Sequence, residues 1–307
     1  MSKHIPVLLN ESIEGLNIKS SGIYVDLTLG RAGHSSVILS KLTNGTLIGV
    51  DQDEEAIEES RVILSKISSN FILIHSNFRN IKDILASLNI KGVDGILMDL
   101  GVSSPQFDEA ERGFSYRNDA PLDMRMDRSQ SLTAYDIVNT YSESELFRIL
   151  KDYGEEKYAY SIAKNIVKAR SIKPIKTTFE LVDIIKVSKP MKELKKVGHP
   201  AKQVFQALRI ETNDELNALK ETLVSASEVL NSKGRLAVIT FHSLEDKIVK
   251  SFFKSLAVKQ GNRYDLPDNN EECLYNLITT KAIKPSELEL ENNHRSMSAK
   301  LRIIERK

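Results

Sequence analysis

Over its first hundred residues the chain alternates short apolar runs with helix-length segments, and this alternation restricts the fold more than any other feature. Gly22-Ile23-Tyr24-Val25-Asp26-Leu27 reads as a buried strand, followed by a Gly-containing turn and an apolar helical stretch through Val37-Ile38-Leu39. Thr46-Leu47-Ile48-Gly49-Val50 is a second strand, ending at Asp51, and a helix pattern runs from Glu54 to Ile67. Phe71 to Ile74 and Val93 to Met98 supply the third and fourth strands. Apolar runs of this length, spaced by helices, predict βαβ units and a mostly parallel sheet. The fold class is α/β.

The alternation then stops. From about Glu109 to Arg209 the sequence holds helix signals and no convincing buried strand. Ser142-x-x-Glu145 and Thr177-x-x-Glu180 fit capping boxes, and Gly154 is placed to close the first of those helices. Asp214 to Asn231 predicts a helix, with Gly234 just beyond its end as a cap. Strand patterns resume at Leu236–Phe241 and Lys300–Ile304. The expected organisation is therefore one α/β domain, residues 1–108 and 210–307, interrupted by a helical insertion at 109–209. A total of 307 residues suits one elaborated domain or two.

Composition narrows the setting. Hydrophobic residues are 41% of the chain, enough for a sizeable core at this length. The longest apolar stretches, such as Ile5 to Leu9, are too short to span a bilayer, and no signal-peptide order opens the chain. One cysteine, Cys273, excludes an internal disulfide framework and a thiolate zinc cluster. A cytoplasmic protein without membrane association is expected. The formal charge of +1 names no partner, but its distribution is uneven. Between Ala163 and Lys202 eleven Lys/Arg face three acids, a local +8 that leaves −7 for the rest. Such a segment is either a set of solvated helix faces or a contact for an anionic partner.

Ligand chemistry concentrates at the carboxyl ends of the predicted strands. Strand, turn Gly30-Arg31-Ala32-Gly33 and helix put backbone N–H groups and a helix N-terminus at the sheet edge. Asp51, eighteen residues after Gly33, stands where an acid accepts hydrogen bonds from a cofactor's ribose. A dinucleotide fingerprint needs three glycines. Here Ala32 and a serine occupy the second and third positions, which disfavours a pyrophosphate. S-adenosylmethionine (SAM) has no phosphate and carries a sulfonium charge, so a methyltransferase sheet is the better reading. The fourth strand runs into Asp99-Leu100-Gly101-Val102-Ser103-Ser104-Pro105-Gln106, placing Asp99 beside the cofactor's reactive end. His242-Ser243 follows the fifth strand on the same edge, as a wall of a target-base pocket or as a satisfied loop histidine. No G-x-S-x-G supports a hydrolase. Asp51-x-Asp53 is explained by helix-start acids, and no metal is expected. The mixed charges and methionines of Pro121-Leu122-Asp123-Met124-Arg125-Met126-Asp127, taken alone, read as structural.

These residues together resemble a known family. His4 to Leu9, Asp99 to Gln106, Glu111-Arg112-Gly113-Phe114-Ser115, Pro121 to Asp127, Val204 to Ile210, Phe241 to Asp246 and Ser298 to Arg302 are similar to the bacterial 16S ribosomal RNA cytosine-N4 methyltransferases of the RsmH (MraW) type. The resemblance spans nearly the whole chain. It implies a SAM-dependent, Rossmann-like methyltransferase with an inserted helical substrate-recognition domain. It also implies SAM contacts at Ala32, Gly33, His34, Asp51, Phe78, Asp99 and Gln106. Three departures from the family pattern stand out. Ala32 replaces a glycine, Leu27 replaces a small residue and is expected to crowd the cofactor, and His294 and Met297 alter the tail.

The implied reaction moves a methyl group from SAM to the exocyclic N4 of a cytidine in the decoding region of 16S rRNA. It is governed by near-attack positioning of a base that must be unpaired or extruded. Asp99 either accepts an N–H of the amine or binds the cofactor's amino group. Methylation at pyrimidine C5 would need a cysteine nucleophile, and Cys273 lies outside the motifs. Lys192, Lys195 and Lys196 are the expected phosphate contacts. The partner is the small ribosomal subunit or its RNA, and a homodimer stays open. The alternatives are a SAM-dependent N-methyltransferase of another RNA or protein, and an RNA-binding module with a vestigial SAM site.

Overall fold

The computed structural model describes residues 6–101, 107, 109–258 and 273–307. It divides into two compact units: one runs up to Gly101 and resumes at Leu216, and the other ends at Glu215. The expected boundary at 209 falls inside a helix, Lys202–Asn213, which belongs whole to the second unit.

The first unit is built on a seven-stranded sheet. Its strands are β1 (Ile23–Asp26), β2 (Thr46–Asp51), β3 (Phe71–His75), β4 (Val93–Asp99), β5 (Leu230–Thr240), β6 (Tyr275–Leu277) and β7 (Lys300–Arg306). Their order is β3-β2-β1-β4-β5-β7-β6. β1 to β5 pair in parallel, and β7 runs antiparallel to both β5 and β6. The expected Rossmann-like, mostly parallel sheet is what forms. Alternate residues feed opposite faces, as the pleat requires. Val25, Ile48, Ile96, Met98 and Val238 join one apolar cluster, while Tyr24, Leu47, Leu97 and Ala237 join another. Both faces are covered, which explains why these strands read as continuous apolar runs. Helices α1 (Leu9–Leu16), α2 (Gly33–Ser40), α3 (Glu54–Leu64) and α4 (Ile81–Ser87) belong to this unit.

The second unit is helical: α5 (Ala134–Thr140), α6 (Glu143–Asp152), α7 (Ala159–Arg170), α8 (Thr178–Val187), α9 (Met191–Leu194) and α10 (Lys202–Asn213). Both predicted capping boxes form at α6 and α8, and Thr133-x-x-Asp136 adds a third at α5. Leu146, Ile149, Ile162, Ile166, Leu181, Ile185, Val204 and Leu208 make its core. Among its described residues no strand forms, only a bridge between Pro121 and Thr177.

Two local expectations are corrected. Gly154 does not cap α6 through a left-handed turn; that conformation falls on Glu155. A Cβ on Gly154 would sit 2.6 Å from the Gln203 carbonyl, so glycine there permits the close approach of α10. The helix expected over 214–231 forms as α11 (Glu215–Glu228), but Gly234 lies within β5. Val93 pairs with Leu230 while Gly95 pairs with Arg235, so residues 231–234 bulge from the ladder, with Lys233 at φ 63°. The short edge strand β6 had no sequence signal, being only three residues long. The remaining helices of the first unit are α12 (Ser243–Ala257) and α13 (Glu287–Asn292), and among the described residues no helix is long and apolar enough to cross a membrane.

Candidate active site

Three acids end three neighbouring strands on the carboxyl edge of the sheet: Asp26 on β1, Asp51 on β2 and Asp99 on β4. β1 lies between β2 and β4, where chain connections depart in opposite directions and open sheets of this type leave a crevice. The three acids have different surroundings, and those differences define the site.

Asp26 is almost fully buried and holds the first turn. Its carboxylate accepts from Ser35 Oγ at 2.7 Å and from the Thr28 N–H at 3.2 Å, while Thr28 Oγ1 accepts the Asp99 N–H at 2.6 Å. Burial pushes its carboxyl above the ordinary range, and these donors pull it back. Asp26 is a site residue that the sequence reasoning above does not single out. The spacing Asp26-x-Thr28 with Ser35 one helical turn into α2 was the available signal.

Asp51 organises the other side of the turn. Its Oδ2 accepts the Gly30 N–H at 2.8 Å and its Oδ1 the Asp53 N–H at 2.9 Å. Desolvation raises its carboxyl to about 6 despite these bonds. Each oxygen retains a lone pair for a hydroxyl donor. Between the two acids the chain passes through left-handed geometry at Gly30 (φ 49°) and Ala32 (φ 55°). That conformation costs an alanine roughly 1 kcal/mol, strain of the kind that collects at ligand sites. The next residue must be glycine for a separate reason: a Cβ on Gly33 would sit 2.5 Å from the Pro6 ring.

Asp99 is the least satisfied of the three. Its side chain is 23% exposed, yet Oδ1 is buried and has no hydrogen-bond partner among the described residues. Oδ2 lies 3.7 Å from His34 Nδ1. Burial first, then the charges of Asp26 and Glu245, drives its carboxyl well above the usual range. A buried acceptor without a donor costs about 1–3 kcal/mol. A ligand bringing an ammonium or another donor would remove that cost. Asp53 caps α3 through the Glu55 N–H, and no group of acids, histidines or cysteine among the described residues could hold a metal.

The other expected contacts are placed as follows. Ala32 caps α2, Gly33 and His34 open it, and His34 is buried with Nε2 3.0 Å from the Val7 carbonyl. Phe78 begins a short 3-10 turn after β3 and packs partly against the sheet core. Gln106, with residues 102–105 and the start of the His4–Leu9 motif, lies outside the described residues. Leu27 points into the core, 1% exposed, beside Val25 and Ile48, so its predicted crowding of the cofactor is not what the structure gives. His242 is the N-cap of α12: Nδ1 accepts the Glu245 N–H, and Glu245 Oε2 accepts the Phe241 and His242 N–H groups at 2.7 and 3.2 Å. Ser243 is exposed at the first position of that helix.

Residues 1–307 match the sequence model of the MraW methylase family. The chain belongs to that family. Curated relatives extend over its full length. A Mesoplasma florum protein described as ribosomal RNA small subunit methyltransferase H is 58% identical over 100% of both chains. A Mycoplasma mycoides protein of the same description is 55% identical over 100% of both. One from Brevibacillus brevis is 52% identical over 99% of this chain and 98% of its own.

The motif residues that lie in the second unit are tied to one another. Arg112, 3% exposed, donates to the Arg125 and Met126 carbonyls at 3.0 and 3.2 Å. Asp123 and Arg125 form a two-pronged pair at 2.8 and 2.9 Å, which holds the Asp123 carboxyl below its usual range. Asn213 closes the loop onto α10 through Met124 and Met126, both core residues. The basic segment is more modest than its count of eleven. Lys189 is buried against Glu156, and Arg170 donates to the Val138 and Tyr141 carbonyls. Lys173, Lys186 and Lys196 pair with acids. Lys192 and Lys195 are exposed and make no ion pair among the described residues.

Proposed function

We propose that the protein transfers a methyl group from S-adenosylmethionine to the exocyclic N4 of a cytidine in the decoding region of 16S rRNA. Membership of the methylase family carries this reading, supported by full-length relatives described as ribosomal RNA small subunit methyltransferase H. The residues of the first unit fit the cofactor. Asp51 offers acceptors for ribose hydroxyls, the strained turn at Ala32 and Gly33 offers backbone, and Asp99 Oδ1 lacks a donor among the described residues. Phe78 and Gln106 complete the proposed contact set.

The cofactor supplies an electrophilic methyl on sulfonium. The chain's part is to position the amine in line with it and exclude water. Asp99 is the group available to accept an amine N–H or to bind the cofactor's amino group. The cytidine must leave any stack to reach the site, with His242 and Ser243 as proposed walls of its pocket. Lys192, Lys195 and Lys196, on the second unit, are proposed phosphate contacts that add salt-dependent affinity. The residues 1–108 and 210–307 would thus carry the chemistry, and the helical insertion the RNA. Such a protein works in the cytoplasm.

The test is transfer of labelled methyl from SAM to small ribosomal subunits lacking their own methylations, with nucleoside analysis of the product. N4-methylcytidine at one decoding-region site is the expected result. A different methylated nucleoside would overturn the assignment of the target atom, and labelled protein would overturn the RNA reading.

A further inference from the structure

A cavity of about 590 Å³ opens on the second unit, lined by Asp119, Ala120, Pro121, Tyr135, Lys176 and Thr177. Two chain segments wall it, and hydrogen bonds clamp them together. Pro121 and Thr177 form a bridge, the Leu122 N–H donates to the Lys176 carbonyl at 3.1 Å, and the Thr178 N–H donates to the Ala120 carbonyl at 2.8 Å. Thr178 Oγ1 donates to the Asn118 carbonyl at 2.7 Å and accepts the Ala120 N–H at 3.1 Å. Helix α5 is tied to both segments. The Tyr135 N–H donates to the Leu122 carbonyl at 2.6 Å, and the Asn139 amide exchanges two hydrogen bonds with the main chain of Ile175. The cavity is therefore preformed, and filling it requires little ordering of the chain.

Three polar groups of its lining are unused. Tyr135 packs partly against the helical core, and its hydroxyl makes no hydrogen bond among the described residues. Lys176 is exposed, and its ammonium has no ion pair among the described residues. The neighbouring acid Glu180 accepts the Lys176 N–H and pairs with Lys173 instead. Asp119 Oδ1 accepts the Phe179 N–H at 3.3 Å, at the positive end of α8, while Oδ2 accepts nothing among the described residues. Phe179 itself is 43% exposed. An aromatic ring, an ammonium and an acceptor around apolar walls are the groups that meet an unstacked nucleotide. The ring stacks on the base, the ammonium takes a phosphate, and the acceptor takes an amino group of the base edge. The volume is that of a small-ligand site, which spans about 300–1,000 Å³. Lys176 also belongs to the +8 stretch between Ala163 and Lys202, which attracts an anionic chain.

We infer that this cavity holds one unpaired nucleotide of the RNA substrate, with its base against Tyr135 and a phosphate on Lys176. The inference rests on the RNA reading above and adds a recognition point built from second-unit residues alone. Loops and ends of RNA offer such bases, whereas paired stretches hide them. Part of the affinity then comes from stacking, which salt leaves intact, and part from the phosphate contact, which salt weakens.

The chain has no tryptophan, so Tyr135→Trp puts one reporter indole in the cavity and keeps an aromatic ring there. A short single-stranded oligoribonucleotide of decoding-region sequence should quench the indole emission. Quenching should occur at the concentrations where anisotropy of the labelled RNA reports binding to the wild type. Inorganic polyphosphate, which carries no base, should leave the emission unchanged. Tyr135→Ala should weaken oligonucleotide binding about tenfold, as expected for one stacked base. Lys176→Ala should lower the salt slope of that binding by about 0.7, and both variants should bind SAM as the wild type does. RNA that binds the wild type without quenching Tyr135→Trp overturns the inference and leaves the RNA reading standing. Quenching by ribosomal proteins freed of RNA, but not by RNA, overturns it in favour of a peptide occupant. If no RNA binds the wild type, the RNA reading and the inference fall together.

Discussion

Two regions of the molecule treat charge in opposite ways. Around residues 112–127 of the second unit, acids and bases are matched. Arg112 is capped by two carbonyls, and the Asp123 carboxyl is held low by the Arg125 fork. At the sheet edge of the first unit, three acids crowd together, burial drives all of them upward, and Asp99 keeps an oxygen with no partner among the described residues. The matched region behaves as scaffold. The mismatched one forgoes stability and becomes coherent only with a ligand that brings positive charge and donors.

The largest expected effect comes from the mismatched acid. Asp99→Asn should lower methyl transfer by at least about a hundredfold, a loss of some 2.7 kcal/mol of transition-state stabilisation. The same change should raise the melting temperature of the cofactor-free protein at pH 7 to 8 by about 2–4 °C. The sign follows from linkage: an acid whose folded pKa is raised binds more protons folded than unfolded, so its contribution falls as pH rises through that range. A variant that loses activity and stability together would place Asp99 with the scaffold.

Arg112→Ala should do the reverse. Two buried carbonyls lose a charged donor, which costs about 2–4 kcal/mol and lowers the melting temperature, while SAM affinity of the remaining folded protein stays within about twofold. Asp51→Asn should weaken SAM binding about tenfold by calorimetry, equivalent to 1.4 kcal/mol. In the wild type, SAM affinity should also fall below pH 6, where Asp51 takes up a proton at about 6. The smallest effect is expected on the second unit's surface. Charge reversal at Lys192 and Lys195 should reduce the salt slope of RNA binding by about one per lost phosphate contact and leave SAM binding unchanged. Lys196, already paired with Glu193, should contribute less.

Much of this was legible in the sequence where a single periodicity or cap decided the outcome. The strands of the parallel sheet are buried on both faces, so their apolar runs were continuous, and the Ser142 and Thr177 boxes were local signals for local structure. Legibility failed where tertiary context decides. Gly234 looked like a helix cap and serves a bulge in β5, which depends on pairing with β4. Leu27 looked like a neighbour of the cofactor, but the pleat turns it inward. Of eleven counted cations, Lys189 and Arg170 are turned to structural use by partners far along the chain. At the site, Asp51 and Asp99 stood out because strand ends mark the ligand edge. The roles of Asp26, Ser35 and the Val7 carbonyl emerged only from packing.

The most direct test is calorimetric titration of SAM into the wild type, Asp99→Asn and Arg112→Ala at one pH near 8. The contrast between mismatched and matched charge predicts that Asp99→Asn weakens binding at least about tenfold while folded Arg112→Ala binds as the wild type does. Unchanged binding in Asp99→Asn, or loss of binding in a folded Arg112→Ala, would contradict it.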